Sequence, residues 1–326
     1  MTAPSVLVTG AAGFIGSHLT ELLVEQGYRV RALVRYNSRN DWGWLEDSSI
    51  ARDIEVASGD VRDFDAIYRA MKGCDAVFHL AALVGIPYSY ESPLPYVRTN
   101  VEGTYNVLEA ARQLSLSDVI VTSTSETYGT AQYVPVDERH PLVAQSPYSA
   151  TKIAADQLAL SYHRSFGLPV KIVRPFNTYG PRQSARAIVP TIAVQILSGV
   201  SPIRLGSLSP TRDLTFVKDT ARGFHEIYRS NTSLGEITNV GTNSEISVGE
   251  LVETIARILG VDVTVVQDDQ RVRPVASEVE RLRCDNSKIR RLTEWRPLHS
   301  LEQGLGETIE WLRRHQARYK PELYTS

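Results

Sequence analysis

Apolar positions along the first half of the chain follow two alternating periods. The short runs SVLVT at 5–9, YRVRALV at 28–34, DAVFHLAA at 75–82, DVIVTST at 118–124 and VKIVRP at 170–175 read as strands. Between them, FIGSHLTELLVEQ puts Ile15, Leu19, Leu22 and Leu23 on one helical face, and further helices are predicted over Val97–Gln113 and Ser149–Phe166. Strands that alternate with helices form βαβ units, so the expected class is α/β, a doubly wound parallel sheet covered on both faces. After about residue 178 the rhythm loosens and Pro, Gly and Arg become frequent. RDLTFVKD at 212–219 and GEITNVG at 235–241 read as strands returning to the sheet, and Leu301–Arg314 as a final helix. The expected organisation is a sheet domain of residues 1–178 with strand returns near 213–241. A smaller lobe of residues 179–212 and 242–326 would lie over the carboxyl ends of the strands, where open α/β sheets bind ligands.

Composition narrows the partners. With 326 residues, 42% apolar and 22% charged, the chain is ordinary for a soluble globular protein of one or two domains. A net charge of −2 offers no footprint for nucleic acid or an anionic membrane. No stretch nears the roughly 20 apolar residues that span a bilayer, and MTAPSVLVTG lacks a basic leader region, so a cytoplasmic protein is expected. Cys74 and Cys284 fit two reduced thiols, and the seven histidines show no ligand spacing, so no metal is assigned. His79 reads as a packed strand residue.

Three stretches carry chemistry. In VTGAAGFIGSHL, Gly10, Gly13 and Gly16 join a strand to a helix, which permits a tight turn and close approach of a pyrophosphate to the helix N-terminus. The spacing is GxxGxxG and not GxGxxG, and a plain Gly-rich turn is the competing reading. In YSATK, Tyr148 and Lys152 are four apart and share a helix face. A cation beside a phenol lowers a pKa that starts near ~10, giving a usable base, whereas a solvated helix face would need neither residue. In TSTSETYGT, Glu126 stands behind Thr124 and Ser125, either as a loop charge or as a proton acceptor.

TGAAGFIG, YSATK, GDVRD at 59, HLAA at 79, NVEGTYNVLEAAR at 100, RPFNTYGPRQ at 174 and RDLTFVKD at 212 together resemble the extended short-chain dehydrogenases/reductases across the whole chain. The resemblance implies a Rossmann-type fold with a smaller C-terminal substrate-binding lobe, and an enzyme acting on nucleotide-activated sugars. The Thr124-Ser125-Glu126 triplet is similar to that of GDP-mannose 4,6-dehydratase, and YNSRNDWGWLE and SEVERLRCDNSK resemble legionaminic-acid-pathway dehydratases of nucleotide-linked N-acetylglucosamine. The implied reaction is 4,6-dehydration. Tyr148, Lys152 and Thr124 would serve oxidation at C4, Glu126 would then remove the acidified C5 proton, and Ser125 would position or relay the proton for the C6 hydroxyl where relatives have Asp.

The same resemblance implies cofactor contacts at Gly10, Gly13, Phe14, Ile15 and Gly16, at Arg35, Asn37 and Ser38 after the second strand, and at Asp60, Val61, Leu80, Ala81, Ala82, Asn100, Tyr148, Lys152 and Pro175. Trp42 and Trp44 would cover the adenosine or simply pack their loop. Arg35 in place of an acid favours NADP, with NAD as the alternative. Tyr88, Asn177, Arg186, Arg212, Arg273 and Glu278 would hold the sugar nucleotide. Val97–Gln113 and Ser149–Phe166 would pair across a two-fold axis to make a homodimer. A 4-epimerase that leaves Glu126 idle, and a non-catalytic NAD(P)-sensing protein, are the alternative functions.

Overall fold

The computed structural model describes residues 3–320, so the outermost ends of the expected ranges 1–178 and 242–326 lie outside the described residues. In chain order the first half comprises β1 (Ser5–Thr9), α1 (Phe14–Glu25), β2 (Arg29–Val34), β3 (Ile54–Ser58), α2 (Phe64–Met71), β4 (Ala76–His79), α3 (Ile86–Glu91), α4 (Pro93–Tyr96), α5 (Gly103–Leu114), β5 (Asp118–Thr122), α6 (Pro147–Phe166) and β6 (Val170–Pro175). The second half adds β7 (Asn177–Tyr179), α7 (Ile188–Leu197), β8 (Ile203–Leu205), β9 (Thr211–Arg212), β10 (Leu214–Phe216), α8 (Val217–Arg229) and β11 (Ile237–Val240). It closes with β12 (Ile246–Ser247), α9 (Val248–Leu259), β13 (Val265–Gln267), α10 (Ser287–Leu292) and α11 (Leu301–Arg314).

Seven strands form one parallel sheet in the order β11-β6-β5-β4-β1-β2-β3. Its central strands are apolar throughout because both faces are covered: Val6, Leu7 and Val8 are all fully buried, with successive side chains entering opposite cores. One core joins Leu7, Val77 and Val119 to Met71, Leu108 and Leu160 of α2, α5 and α6. The other joins Val6, Val8 and Phe78 to Leu19 and Leu23 of α1 and Phe224 of α8. Trp295 and Ile289 also belong to that second core, and the Trp295 indole donates to the Asp219 carbonyl at 2.8 Å. A third core, with Ile192, Phe216, Leu251 and Ile309, consolidates the C-terminal lobe.

Two elements differ from their sequence reading. The stretch at 212–219 does not return to the central sheet. Leu214 opposes Asn177 and Phe216 opposes Tyr179 in a separate parallel pair, β10 with β7, while β11 takes the free edge of β6. The helix expected over Val97–Gln113 is interrupted, since residues 97–102 form a wider π-helical turn between α4 and α5, with buried Asn100 on it. Helix α6 begins where its sequence demands. Ser146 and Ser149 form a reciprocal capping box, Pro147 occupies the first turn, and Gly167 ends the helix in the left-handed region at φ 67°. Tyr148 and Lys152 thereby lie on its first two turns, at the carboxyl end of β5.

Candidate active site

A cleft of about 1070 Å³ runs along the carboxyl ends of the strands and between the sheet and the lobe. Gly10, Gly13, Phe14, Ile15 and Gly16 line one end. Gly10 has φ +70°, and a Cβ on Gly16 would stand 2.1 Å from the Gly10 carbonyl oxygen, so the turn closes only with glycine at these positions. Helix α1 opens at Gly13 without a side-chain cap, which leaves first-turn N–H groups facing the cleft as donors for an anion. This end therefore fits the pyrophosphate of a dinucleotide.

Arg35, Asp60, Val61, Leu80, Ala81, Ala82 and Pro175 line the cleft beyond that turn. Asp60 accepts from Arg62 Nε at 2.9 Å and Nη2 at 2.6 Å, and Arg35, 78% exposed, lies 3.9 Å from the same carboxylate. The Arg62 hydrogen bond holds the Asp60 carboxyl below its usual range. Arg62 escaped the sequence reading, although a carboxylate in GDVRD raises the question of what balances it.

Three of the expected cofactor contacts do not border the cleft. Asn37 spends its amide on its own loop, donating to Asp41 O at 2.7 Å and accepting from Arg39 N and Asp41 N at 3.1 Å, and Ser38 follows it away from the wall. Asn100 is buried, with Oδ1 accepting from Leu83 N at 2.8 Å and Nδ2 donating to Leu83 O and Thr151 Oγ1 at 3.0 Å, so it fixes the 80s loop to α6. Trp44 packs edge-on against Trp311 beneath the Arg318 guanidinium, so loop packing accounts for it, and Trp42 packs into the sheet core.

At the middle of the cleft, the turn after β5 presents Thr124, Ser125 and Glu126 opposite Tyr148 and Lys152. Thr124 caps this turn, its hydroxyl accepting from Glu126 N at 3.3 Å, and Ser125 is buried. Lys152 Nζ donates to Thr122 O at 2.5 Å. No hydrogen bond or ion pair among the described residues engages the Glu126 carboxylate, which lines the cleft. Tyr96 packs edge-on to Tyr148, and its hydroxyl is tied to the Gly85 carbonyl.

The Tyr148 pKa is raised, not lowered by Lys152 as its place in YSATK predicts. Burial pushes the phenol well up, a hydrogen bond with Thr124 opposes, and the charge of Glu126 adds to the rise. Lys152 is itself pushed down by burial, with Asp156 partly compensating, and its ammonium is directed to a backbone carbonyl. His79 stands between the hydroxyls of Thr9 and Thr104 at 2.8 and 3.1 Å, and burial lowers its pKa to about 3, so it is a neutral strand residue.

The far end is lined by Tyr88, Asn177, Arg186, Arg212, Arg273 and Glu278. Glu278 orients two cations, Arg212 at 3.3 Å and Arg273 at 3.6 Å, while Asn177 Oδ1 is buried without a partner. Leu83, Val84, Ile86 and Pro87 add an apolar wall that the sequence reading passed over. The described residues contain no cluster of His, Cys, Asp and Glu able to hold a metal, and no helix among them is long and apolar enough to cross a membrane.

The family model described as GDP-mannose 4,6 dehydratase matches residues 7–308. A dTDP-glucose 4,6-dehydratase of Streptomyces antibioticus is 32% identical over 97% of this chain and 95% of its own length. A putative UDP-glucose 4-epimerase of Methanocaldococcus jannaschii is also 32% identical, over 94% of this chain and 98% of its own. Among solved structures, a DesIV double mutant, a dTDP-glucose 4,6-dehydratase from Streptomyces venezuelae with NAD bound, superposes with a TM-score of 0.86. It is 30% identical, covering 97% of this chain and 99% of that one.

Proposed function

Because the chain belongs to the GDP-mannose 4,6 dehydratase family of extended short-chain dehydrogenases/reductases, we propose that it is a nucleotide-sugar 4,6-dehydratase, converting an NDP-hexose to the NDP-4-keto-6-deoxyhexose. The observation that carries this reading is the Glu126 carboxylate, which has no hydrogen-bond or ion-pair partner among the described residues, in the same cleft as Tyr148 and Lys152.

Tyr148 receives the proton of the substrate 4-hydroxyl, with Thr124 hydrogen-bonded at the same centre. Burial and the charge of Glu126 together hold the phenol protonated, so positive charge must accumulate around it before it can act. Lys152, with its ammonium on the Thr122 carbonyl, ties α6 to the end of β5 from which Thr124 follows. The Gly10–Gly16 turn and the cleft wall at Asp60, Ala81 and Pro175 would hold a nicotinamide dinucleotide, which would supply the hydride chemistry needed at C4 and C6. Once C4 is a ketone the C5 proton is acidic, and Glu126 removes it. The buried Ser125 hydroxyl is a poor acid, so it holds the C6 hydroxyl in place while Glu126 delivers the proton that lets water leave. Asn177, Arg212 and Arg273 bind the diphosphate, for which Arg offers a bidentate fork. The sheet unit takes the cofactor and the C-terminal lobe takes the sugar nucleotide. Arg35, with no acid after β2, supports NADP over NAD, and α5 with α6 supports a homodimer.

The second reading, a 4-epimerase, uses Tyr148 and the cofactor and leaves Glu126 idle. Incubation with UDP-, GDP-, CDP- and dTDP-hexoses followed by mass spectrometry separates the two: loss of one water supports dehydration, and an isomer of unchanged mass refutes it.

A further inference from the structure

Gln145 precedes the capping serine of α6 and lines no wall of the cleft, yet it bonds to segments that do. Its Oε1 accepts from Thr130 N at 2.5 Å, at the end of the turn that carries Glu126. Its Nε2 donates to Ala276 O at 3.1 Å and Glu278 O at 3.2 Å, on the segment that also bears Arg273. Its carbonyl accepts from the Ser277 hydroxyl at 2.5 Å, and that hydroxyl lies 2.6 Å from Tyr90 OH on α3. The Thr130 hydroxyl reinforces the link, donating to Glu278 O at 3.3 Å and accepting from Glu280 N at 3.2 Å.

The two ends of one planar amide are thus committed to different segments, and neither can shift without the other. The turn is also pressed against this amide. Gly129 has φ +65°, and a Cβ there would lie 2.6 Å from Gln145 Oε1 and 2.7 Å from Val143 O.

We infer that Gln145 is a positioning residue that couples occupation of the diphosphate end, at Arg273 and Glu278, to the placement of Glu126. The inference rests on the reading of Glu126 as the C5 base. Substrate that seats the 273–278 segment draws on Gln145 Nε2, and Oε1 then holds the Glu126 turn in the position that proton removal requires. Gln145, reinforced by the Thr130 hydroxyl, brings sugar nucleotide and base into register.

Hydrogen exchange read by mass spectrometry tests this without turnover. The full chain is compared with Gln145→Ala, each with and without saturating UDP, GDP or dTDP. In the wild type, whichever nucleoside diphosphate binds should protect both the 268–280 segment and the 124–131 turn. In Gln145→Ala the 268–280 segment should gain protection and the turn should gain markedly less, the Thr130 bonds to 278 and 280 being all that still joins them. Gln145→Glu keeps the acceptor for Thr130 N and loses the donor to 276 and 278, so it should bind the nucleoside diphosphate about tenfold more weakly.

On the sugar nucleotide that the wild type dehydrates, Gln145→Ala should cut C5 exchange with solvent by ten- to fifty-fold while reduced cofactor still forms. Equal protection of the turn in Gln145→Ala, or no ligand-induced protection of it in the wild type, overturns the coupling. A wild type that dehydrates no sugar nucleotide overturns the functional reading instead and leaves the exchange result to stand on its own.

Discussion

Asp156 and Arg174 meet at 2.7 Å with neither side chain exposed. Asp156 is one helical turn beyond Lys152, and Ser123 donates to the same carboxylate oxygen at 2.6 Å. The Arg174 guanidinium lies 4.6 Å from the centre of the Tyr128 ring, which in turn donates to Asn239 at 2.8 Å. A buried polar chain thus ties α6, the end of β5, β6 and β11 together behind the turn that carries Glu126. Removing one partner strands a buried charge, so Asp156→Ala should lose about 3–5 kcal/mol of unfolding free energy, and Asp156→Ala with Arg174→Met should recover part of that loss. Urea unfolding monitored by circular dichroism measures both, and a single variant as stable as the wild type would contradict the pairing.

Glu126→Gln keeps size and hydrogen bonding and loses the base. C4 oxidation should survive, reduced cofactor should accumulate, and elimination should slow by roughly 10²- to 10⁴-fold. In deuterated water the wild type should place one deuterium at C5 of the product, and the variant almost none. Tyr148→Phe should block even the first step. Unaltered turnover and labelling by Glu126→Gln would return this carboxylate to the status of a loop charge.

Two histidines make the fold sensitive to acid. Burial lowers the pKa of His79 to about 3, and burial together with Arg182 lowers that of His18 to about 4. Both are neutral in the folded chain at neutral pH, whereas their unfolded counterparts protonate near 6.5. Below that value the unfolded state binds more protons, so stability is lost as pH falls, by about 1.4 kcal/mol per pH unit for each histidine until its folded pKa is reached. Urea midpoints at a series of pH values should decline accordingly, and His79→Gln should flatten the decline. An unchanged slope in that variant would refute the assignment.

Denaturing the purified protein should release NADP. Arg35→Asp, which restores an acid after β2, should shift preference toward NAD by tenfold or more in nucleotide titrations. Release of NAD alone from the wild type would defeat the choice.

Val97 and Tyr105 are about half exposed on the segment entering α5 and on α5 itself. A two-fold pairing of α5 and α6 covers such apolar surface, so light scattering at micromolar concentration should report a dimer, and Tyr105→Glu should shift it toward monomer. A monomeric wild type removes the claim.

That Thr124, Ser125, Glu126, Tyr148 and Lys152 share one cleft was legible because the grouping is local. Thr124 to Glu126 ends one strand, and Tyr148 and Lys152 begin the next helix, so motif and geometry coincide. What the sequence withheld depends on neighbours far along the chain. The rise of the Tyr148 pKa follows from burial, and the fate of the Asn37 amide follows from a loop that folds back on it. The partner of Leu214–Phe216 could not be read from three residues, because any exposed strand edge satisfies so short a run. Trp295 and Ile289 follow no recognisable period, yet they complete the core beneath α8. Gln145 resembles an ordinary loop residue until its four partners are seen together.

The place of β11 has a consequence for synthesis. A ribosome releases β6 well before Val240, and β11 is the strand that pairs with Ile172–Pro175. While residues 176–240 are being added, β6 forms the bare rim of the parallel sheet, a ready template for pairing with another nascent chain. Helix α8, which covers part of the same sheet, arrives in that interval as well. The newborn protein therefore passes through a window in which its sheet is unsealed, and translation that stalls or terminates there should yield an aggregating fragment instead of a smaller folded domain.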